Sequence, residues 1–134
     1  MCTHVLDSHS RGVWSLTIAW NGRRLFSGSL DRTIRVWQRS SLQCSSTLQH
    51  HKGEVRALAS VNGQLFRCVI TLLVQTFNVH CCSCGDDHTI IVFDLETRTV
   101  RSTLVGHTGP VYDIKCNQDN TRLYSASYDQ TIKV

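Results

Sequence analysis

The same pattern of residues occurs three times along the chain, and this repeat constrains the fold more than any other feature. The copies begin at His9, His51 and His107, and a valine follows each of these histidines four residues later. His51 follows His9 by 42 residues, and the spacing from His to Asp is 22 residues both from His9 to Asp31 and from His107 to Asp129. A period of about 40–45 residues is typical of a four-stranded unit that buries its apolar face only by stacking on its neighbours.

Short apolar runs with alternating character, separated by turn residues, predict β-strands in every copy. In the first copy these runs are 13–20, 25–29, 34–37 and 44–48. The expected turns are Asn21-Gly22, Asn62-Gly63 and 117–120, together with the Asp-x-Thr segments that start at Asp31 and Asp129. Asn-Gly is a strong hairpin signal because both residues tolerate positive φ. No segment carries a convincing helical pattern, so the sequence predicts an all-β fold of antiparallel meanders.

Gly106-His107 at the start of one repeat and Ile34-Arg35-Val36-Trp37 at the end of another are the residues by which the chain resembles the WD-repeat (WD40) family. The resemblance covers residues 1–134, with repeat cores at 9–37, 51–93 and 107–134. It implies a partial β-propeller of about three four-stranded antiparallel blades that does not close. In this family each repeat begins with the outer strand of the preceding blade, so residues 3–6 would belong to a blade largely missing here. We therefore expect a fragment whose third blade lacks its outer strand. Its uncovered strand edges and sheet faces would favour pairing with missing blades or self-association.

A set of His, Ser, Asp and Trp residues recurs in the copies. Ser, His and Asp can form a catalytic triad, but an active site occurs once and this set occurs in every repeat, so no catalytic residue is predicted. The family resemblance implies a structural network in which Asp holds His, His contacts a strand Ser, and Ser contacts the Trp indole. Its members are His9, Ser27 or Ser29, Asp31 and Trp37 in the first copy, His51 and Asp87 in the second, and His107, Ser125 or Ser127 and Asp129 in the third. Strand alternation puts both serines of a pair on one face, and Phe93, which replaces Trp in the second copy, has no N–H.

The second copy is longer than the others. Phe66 and Asp87 are 21 residues apart, whereas the equivalent Phe26 and Asp31 are five apart, which places an excess of 16 residues at 67–82. The favoured hypothesis is a retained intron of 48 nucleotides, which would keep the reading frame. A genuine insertion that serves a partner is the first alternative. A metal site of His80, Cys81, Cys82 and Cys84 is the second, although Cys-Cys-Ser-Cys is not the usual Cys-x₂-Cys pair, so no metal is predicted.

Charge and composition limit which kinds of partner and which cellular compartment we expect for this chain. The formal charge is +4 without a basic run, so nucleic acid is not an expected partner. The chain starts without a signal-peptide pattern, and its apolar run in the insertion is far shorter than the about 20 residues that span a membrane. Seven cysteines, an odd number, are scattered without a disulfide pattern. We expect an intracellular protein, cytoplasmic or nuclear, that has no cofactor and no membrane partner.

The expected function is that of a protein-interaction scaffold or adaptor without catalysis, which binds proteins or peptides through the faces of the propeller. The family resemblance implies partner-binding positions beside the first valine of each repeat and before the turn aspartate: Trp14, Leu30, Glu54, Arg56, Asp86, Pro110, Tyr112 and Tyr128. Trp, Tyr and Arg are residue types that dominate interface energetics. Packing of Trp14 and Tyr112 between blades, or an ordinary solvated rim, is the alternative interpretation of these positions. Two other functions remain open: the substrate-recognition part of a ubiquitin-ligase complex, and a fragment without function.

Overall fold

The structure of the chain is a computed structural model, which describes residues 2–19, 21–61, 80–94, 97–118 and 121–134. These ranges contain eleven β-strands and no helix, which confirms the all-β prediction. The first sheet consists of β1 (Val13–Ile18), β2 (Arg24–Ser29), β3 (Ile34–Gln38) and β4 (Cys44–Leu48). The second consists of β5 (Val55–Val61), β6 (His80–Gly85), β7 (Thr89–Asp94) and β8 (Thr99–Val105). The third consists of β9 (Val111–Cys116), β10 (Leu123–Ser127) and β11 (Ile132–Lys133).

Each sheet is an antiparallel meander, because strands that are neighbours in the sequence are also neighbours in the sheet. The inner hairpins β1–β2, β5–β6 and β9–β10 carry a register shift at the same place, next to Val13, Val55 and Ser127. The three sheets are therefore three copies of one blade. Two are four-stranded and the third has three strands among the described residues, so the prediction of a partial, unclosed propeller is confirmed.

The hairpin between the second and third strands of each blade turns through a residue with positive φ. These residues are Arg32 (φ 68°), His88 (φ 64°) and Gln130 (φ 68°). A non-glycine residue in this region is uncommon and strained. The preceding aspartate compensates, since its Oδ1 accepts hydrogen bonds from the backbone N–H and the hydroxyl of the threonine that follows the turn. The Asp-x-Thr pattern thus fixes the turn and points the other carboxylate oxygen toward the histidine.

The blades pack face to face through two apolar clusters. The cluster between the first and second blades contains Ala19, Phe26, Ile34, Val36, Leu48, Val55, Leu58, Ile91 and Phe93. The cluster between the second and third blades contains Ala57, Cys82, Cys84, Ile90, Val92, Val111, Ile114 and Leu123. The register shift between Val55 and Ala57 makes this possible, because it turns Val55 to the side of Leu58 in the first cluster, while Ala57 lies in the second. The second blade is therefore buried on both faces.

The predicted insertion at 67–82 lies mostly outside the described residues. Its last three residues, 80–82, differ from the prediction, because the structure places them in β6. Cys81 pairs with Phe93 and Cys82 with Val92, as Leu25 pairs with Trp37 and Phe26 with Val36 in the first blade. The expected alignment put Leu65 and Phe66 in those places, whereas the β6–β7 ladder runs on without a break to His80. The surplus chain thus precedes His80.

Residues 3–6, whose pattern is that of an outer strand, form no strand in the described part of the chain. A strand requires a partner ladder, and within the described ranges none of the three sheets pairs with these four residues. No helix that could cross a bilayer occurs in the ranges that the structure describes.

Candidate functional site

In the first blade a continuous hydrogen-bond chain links four side chains. His9 Nδ1 lies 2.8 Å from Asp31 Oδ2, and His9 Nε2 lies 2.7 Å from Ser27 Oγ. Trp37 Nε1 donates to the same Ser27 oxygen over 2.9 Å. Every donor finds an acceptor if the imidazole proton is on Nδ1, so that His9 donates to Asp31 and accepts from Ser27. These hydrogen bonds connect the loop before β1 to the β2–β3 hairpin and to β3.

The second and third blades repeat the central part of this arrangement. His51 Nδ1 lies 2.8 Å from Asp87 Oδ2, and His51 Nε2 lies 2.7 Å from Ser83 Oγ. His107 Nδ1 lies 2.7 Å from Asp129 Oδ2, and His107 Nε2 lies 2.8 Å from Ser125 Oγ. Sequence reasoning did not assign Ser83 to the network. The signal was present, because Ser83 stands four residues before Asp87 as Ser27 stands four before Asp31.

The second serine of each pair has a different role. Ser29 Oγ donates to the carbonyl of Gly12 over 2.9 Å and accepts from the backbone N–H of Asp31 over 3.1 Å. Ser127 does the same with the carbonyl of Pro110 and the N–H of Asp129. The structure therefore places Ser27 and Ser125, but not Ser29 and Ser127, against the histidines. The register shift at the start of β1 and β9 brings the loop carbonyls within reach of the second serine.

Phe93 occupies the place of Trp37 in the second blade. It is buried and packs against His50 with a ring-centroid distance of 5.5 Å. A phenyl ring has no N–H, so Ser83 lacks the indole donor that Ser27 has. Ser83 Oγ lies 3.4 Å from the carbonyl oxygen of Ile91, a weak second contact.

The network lowers the pKa of all three aspartates. Burial by itself would raise the pKa of Asp31, but hydrogen bonds from Thr33, His9 and the backbone N–H of Ser10 hold it well below its usual range. Asp87 behaves in the same way through His51, Thr89 and Lys52. At Asp129 the hydrogen bond from Thr131 is the largest cause, and His107 adds to it. The carboxylates are therefore charged acceptors. Thr33 and Thr131, which sequence reasoning had seen only as turn residues, are members of the network, and so is Thr89, which it had not named.

The Asp-His-Ser order of contacts is that of a hydrolytic triad, but the surroundings favour a structural role. Ser27, Ser83 and Ser125 are all buried, and each serine oxygen is hydrogen-bonded to the histidine of its blade. In the first blade the serine oxygen is in addition occupied by the Trp37 N–H. Among the described residues, no group of three or more His, Cys, Asp or Glu side chains is placed to hold a metal ion.

A second cluster of side chains joins all three blades on one face, and its centre is Arg56. Its guanidinium donates to both carboxylate oxygens of Asp86, from Nε over 2.8 Å and from Nη2 over 3.0 Å. Arg56 Nη2 also forms an ion pair with Glu54 Oε2 at 2.9 Å. The guanidinium carbon lies 4.9 Å from the ring centroid of Trp14 and 5.6 Å from that of Tyr112. The hydrogen bond to Asp86, followed by the charges of Asp86 and Glu54, raises the pKa of Arg56.

Tyr128 extends this cluster at the third blade. Its ring packs edge to face on Tyr112, with centroids 6.3 Å apart and an interplanar angle of 81°. Trp14, Tyr112 and Tyr128 are nevertheless exposed, by 52%, 47% and 70% of their surface. We call Trp14, Glu54, Arg56, Asp86, Tyr112 and Tyr128 the Arg56 cluster. Sequence reasoning had named each of these positions, but it gave no sign that four of them surround one guanidinium: Trp14, Glu54, Asp86 and Tyr112.

The residues of the Arg56 cluster lie close together because each blade has the same backbone hydrogen bond at this place. The N–H of the residue before the turn aspartate donates to the carbonyl before the first valine: Leu30 to Gly12, Asp86 to Glu54 and Tyr128 to Pro110. Trp14, Arg56 and Tyr112 follow that valine in the three blades and so lie side by side on one face. Leu30 and Pro110 are half-buried and flank the cluster in position, without a side-chain bond to Arg56 in the structure.

Comparison with known proteins decides the family. The sequence model of the family described as "WD domain, G-beta repeat" matches residues 1–38, 42–94 and 98–134. The chain belongs to the WD40 family. Autophagy-related protein 16 of Arabidopsis thaliana is 28% identical to this WD40 chain over 134 residues, which cover 99% of the chain and 24% of the relative. WD repeat-containing protein pop2 of Schizosaccharomyces pombe is 30% identical over 150 residues, which cover 96% of the chain and 21% of the relative. The chain thus spans about a quarter of the length of these curated relatives.

Proposed function

We propose that this WD40 chain is a scaffold or adaptor module that binds a protein or peptide segment on the Arg56 cluster. WD40 repeats generally mediate protein–protein interaction, and the chain carries such repeats over most of its length. The observation that carries the proposal is that exposed Trp14 of the first blade and exposed Tyr112 of the third meet around one guanidinium of the second, and that exposed Tyr128 packs on Tyr112. Exposed Trp, Tyr and Arg are the residue types that supply most of the binding energy at protein interfaces.

Preorganisation supports this use of the cluster. Arg56 is held by a bidentate bond to Asp86 and by the ion pair with Glu54, so its position is fixed before a partner arrives. The rings of Trp14 and Tyr112 lie against this fixed cation. Because side chains that are already ordered lose little entropy on binding, such a surface binds more tightly than a mobile one of the same area. A scaffold role requires no chemistry at the cluster.

The cysteines support an intracellular location as part of the proposal. Within the described ranges, Cys2, Cys44, Cys84 and Cys116 form no disulfide. Burial raises the pKa of Cys84 to about 12, so this thiol is protonated and unreactive at neutral pH. A buried thiol outside any disulfide, such as that of Cys84, fits a reducing compartment.

The test is selection of binding peptides from a random library displayed on phage, followed by calorimetric titration of the enriched peptides. We expect Trp14→Ala and Tyr128→Ala to weaken binding at least about tenfold, the effect of removing roughly 1.4 kcal/mol of contact. Tyr124→Ala is the matched control, since Tyr124 is an exposed tyrosine outside the cluster. Peptides that bind the Trp14→Ala and Tyr128→Ala variants as tightly as the unchanged chain, or a library without any enriched peptide, would contradict the proposal.

A further inference from the structure

The positive charge of the chain is concentrated in the first blade. Residues 1–50 contain six arginines and two aspartates, whereas residues 51–134 contain eight basic and eight acidic residues. The formal net charge of +4 therefore comes entirely from residues 1–50. Of the two aspartates, Asp31 is bound to His9 beside the β2–β3 hairpin, and Asp7 precedes the first strand. At the opposite end of the blade, neither Arg23 nor Arg39 forms an ion pair within the described part of the chain.

These two arginines border a concavity at the end of the first sheet. It lies between the β1–β2 turn and the β3–β4 turn and has a volume of about 410 Å³. The residues that line it are Gly22, Arg23, Gln38, Arg39 and Ser40. Its volume is in the range of pockets that hold small ligands. The β2–β3 hairpin and the Arg56 cluster lie at the other end of the strands, so this concavity is a separate site.

Hydrogen bonds between the two turns hold the arginines next to each other. The backbone N–H of Arg39 donates to the carbonyl of Arg23 over 3.0 Å, and Arg39 Nη1 donates to the carbonyl of Gly22 over 2.9 Å. Gly22 has a positive φ of 66°, and its N–H closes the β1–β2 turn on the carbonyl of Ala19. A guanidinium has five N–H groups, so the bond to Gly22 leaves four for a ligand. No described residue accepts a hydrogen bond from the Arg23 side chain.

The other blades do not repeat this site at the positions where they can be compared. Thr121 holds in the third blade the position of Arg23 in the first, two residues before the leucine that starts the β-ladder. Asp94 holds in the second blade the position of Gln38 in the first. Residues that a repeat needs for its fold recur in each copy, as the histidines and turn aspartates do here. Arg23 is therefore not a requirement of the blade.

We propose that this concavity binds a phosphate monoester, with Arg23 and Arg39 as charged donors and the exposed Ser40 as a hydroxyl donor. Guanidinium groups form two parallel N–H···O bonds with phosphate. A phosphate monoester carries about 1.5 to 2 negative charges at pH 7, which two arginines balance better than they balance the single charge of a carboxylate. A nucleic acid would need a row of cations, whereas residues 51–134 have no excess of positive charge. The inference does not depend on the proposed role of the Arg56 cluster.

Titration of the isotope-labelled 134-residue chain with inorganic phosphate, followed through its amide chemical shifts by NMR, tests the site. We expect saturable shifts at Gly22, Arg23 and Ser40 and none of that size at Arg56. Arg23→Thr introduces the residue of the third blade at this position, so the blade should still fold. It should weaken phosphate binding about tenfold or more, the effect of losing charge-assisted hydrogen bonds. Arg23→Lys keeps the charge without the planar fork and should also weaken binding.

Arg32→Gln is the matched control. It removes one positive charge from the other end of the same blade, and Gln130 holds the equivalent turn position with the same φ of 68°. We expect Arg32→Gln to bind phosphate as the unchanged chain does. Arg39→Gln should weaken binding as Arg23→Thr does, and the thermal midpoints of the variants show that each of them is folded.

Two further ligands distinguish the sources of the phosphate. Tighter binding of a phosphoserine peptide than of glycerol 3-phosphate would indicate a phosphorylated protein, the reverse order would indicate a small phosphorylated molecule, and equal affinities would indicate recognition of the phosphate alone. Each of these results supports the site, and the peptide without phosphate should not bind. Shifts that do not saturate, equal affinity for acetate, an equal loss of binding in Arg32→Gln and Arg23→Thr, or tighter binding of a short DNA duplex than of either monoester would each overturn the inference.

Discussion

At the scale of single residues, Trp37 provides the sharpest test of the polar network. Its indole N–H donates to Ser27 over 2.9 Å, and Phe93 shows that a phenyl ring fits the equivalent site. Trp37→Phe should therefore leave the fold intact and lower the free energy of unfolding by about 1–2 kcal/mol, the value of a buried neutral hydrogen bond with some lost contact. Urea unfolding followed by circular dichroism measures this difference.

Trp14→Phe is the control for Trp37→Phe. Trp14 is exposed and its indole makes no hydrogen bond to the network, so we expect a change within about 0.5 kcal/mol. If the two variants unfold at the same urea concentration, the indole N–H does not stabilise the blade. If Trp37→Phe is the more stable of the two, burial of the polar indole N–H destabilises the folded chain more than its hydrogen bond to Ser27 stabilises it.

At the scale of the elements, the surplus chain of the second blade can be removed at two boundaries. Six residues separate the paired Ile18 and Leu25, whereas twenty separate the equivalent Ser60 and Cys81. Deletion of 66–79 removes these 14 surplus residues and keeps β6 as it stands. Deletion of 67–82 instead places Leu65 and Phe66 in the positions of Cys81 and Cys82, next to an Asn62-Gly63 turn.

We expect both deletions to raise solubility and the thermal midpoint, because 69–74 is an uncharged β-prone run of the kind that promotes aggregation. Differential scanning fluorimetry and the soluble yield on expression are the measurements. Replacement of 66–79 by a Gly/Ser linker of equal length is the control, since it keeps the loop length and removes the apolar run. Lower solubility of both deletions than of the unchanged chain would show that the segment is part of the fold.

The strands were predictable from the sequence because each repeat carries its own pattern of apolar and turn residues. Apolar alternation and the Asp-x-Thr turn define β1 to β3 to within about two residues, and the repeat supplies the order of the strands. The choice between Ser27 and Ser29 could not be predicted, because both side chains leave the same face of β2. The register shift beside Val13 decides between them by bringing the carbonyl of Gly12 to Ser29.

The Arg56 cluster shows a second limit of sequence reasoning. Positional equivalence predicted that Trp14, Arg56 and Tyr112 occupy the same place in successive blades. It did not predict that Arg56 holds its neighbours' rings, because that depends on the distance and angle between blades. Such contacts between repeats follow from packing, which a period along the chain does not specify.

At the scale of the whole molecule, the three networks make the free energy of unfolding depend on pH in the acid range. Hydrogen bonds to Asp31, Asp87 and Asp129 hold their pKa below the usual range. The unfolded chain, with ordinary Asp pKa values of about 3.9, therefore binds more protons than the folded chain in acid. The stability that these groups provide is complete above about pH 5 and is lost as the pH falls through about 4 toward the folded pKa.

We expect the thermal midpoint of the unchanged chain to be insensitive to these aspartates between pH 5 and 7 and to fall steeply between about pH 4 and 2. Asp31→Asn or Asp87→Asn should lower the midpoint at pH 7 and make this acid slope shallower, since the variant has one titrating group fewer. Asp7→Asn is the control, because Asp7 is exposed and lies outside the three networks. Because each network belongs to a different blade, the slopes lost by Asp31→Asn and Asp87→Asn should add in the double variant. The double variant could instead show the same fall of the thermal midpoint in acid as the unchanged chain. That result would show that the acid sensitivity arises from other groups and that the charged aspartates do not stabilise the blades.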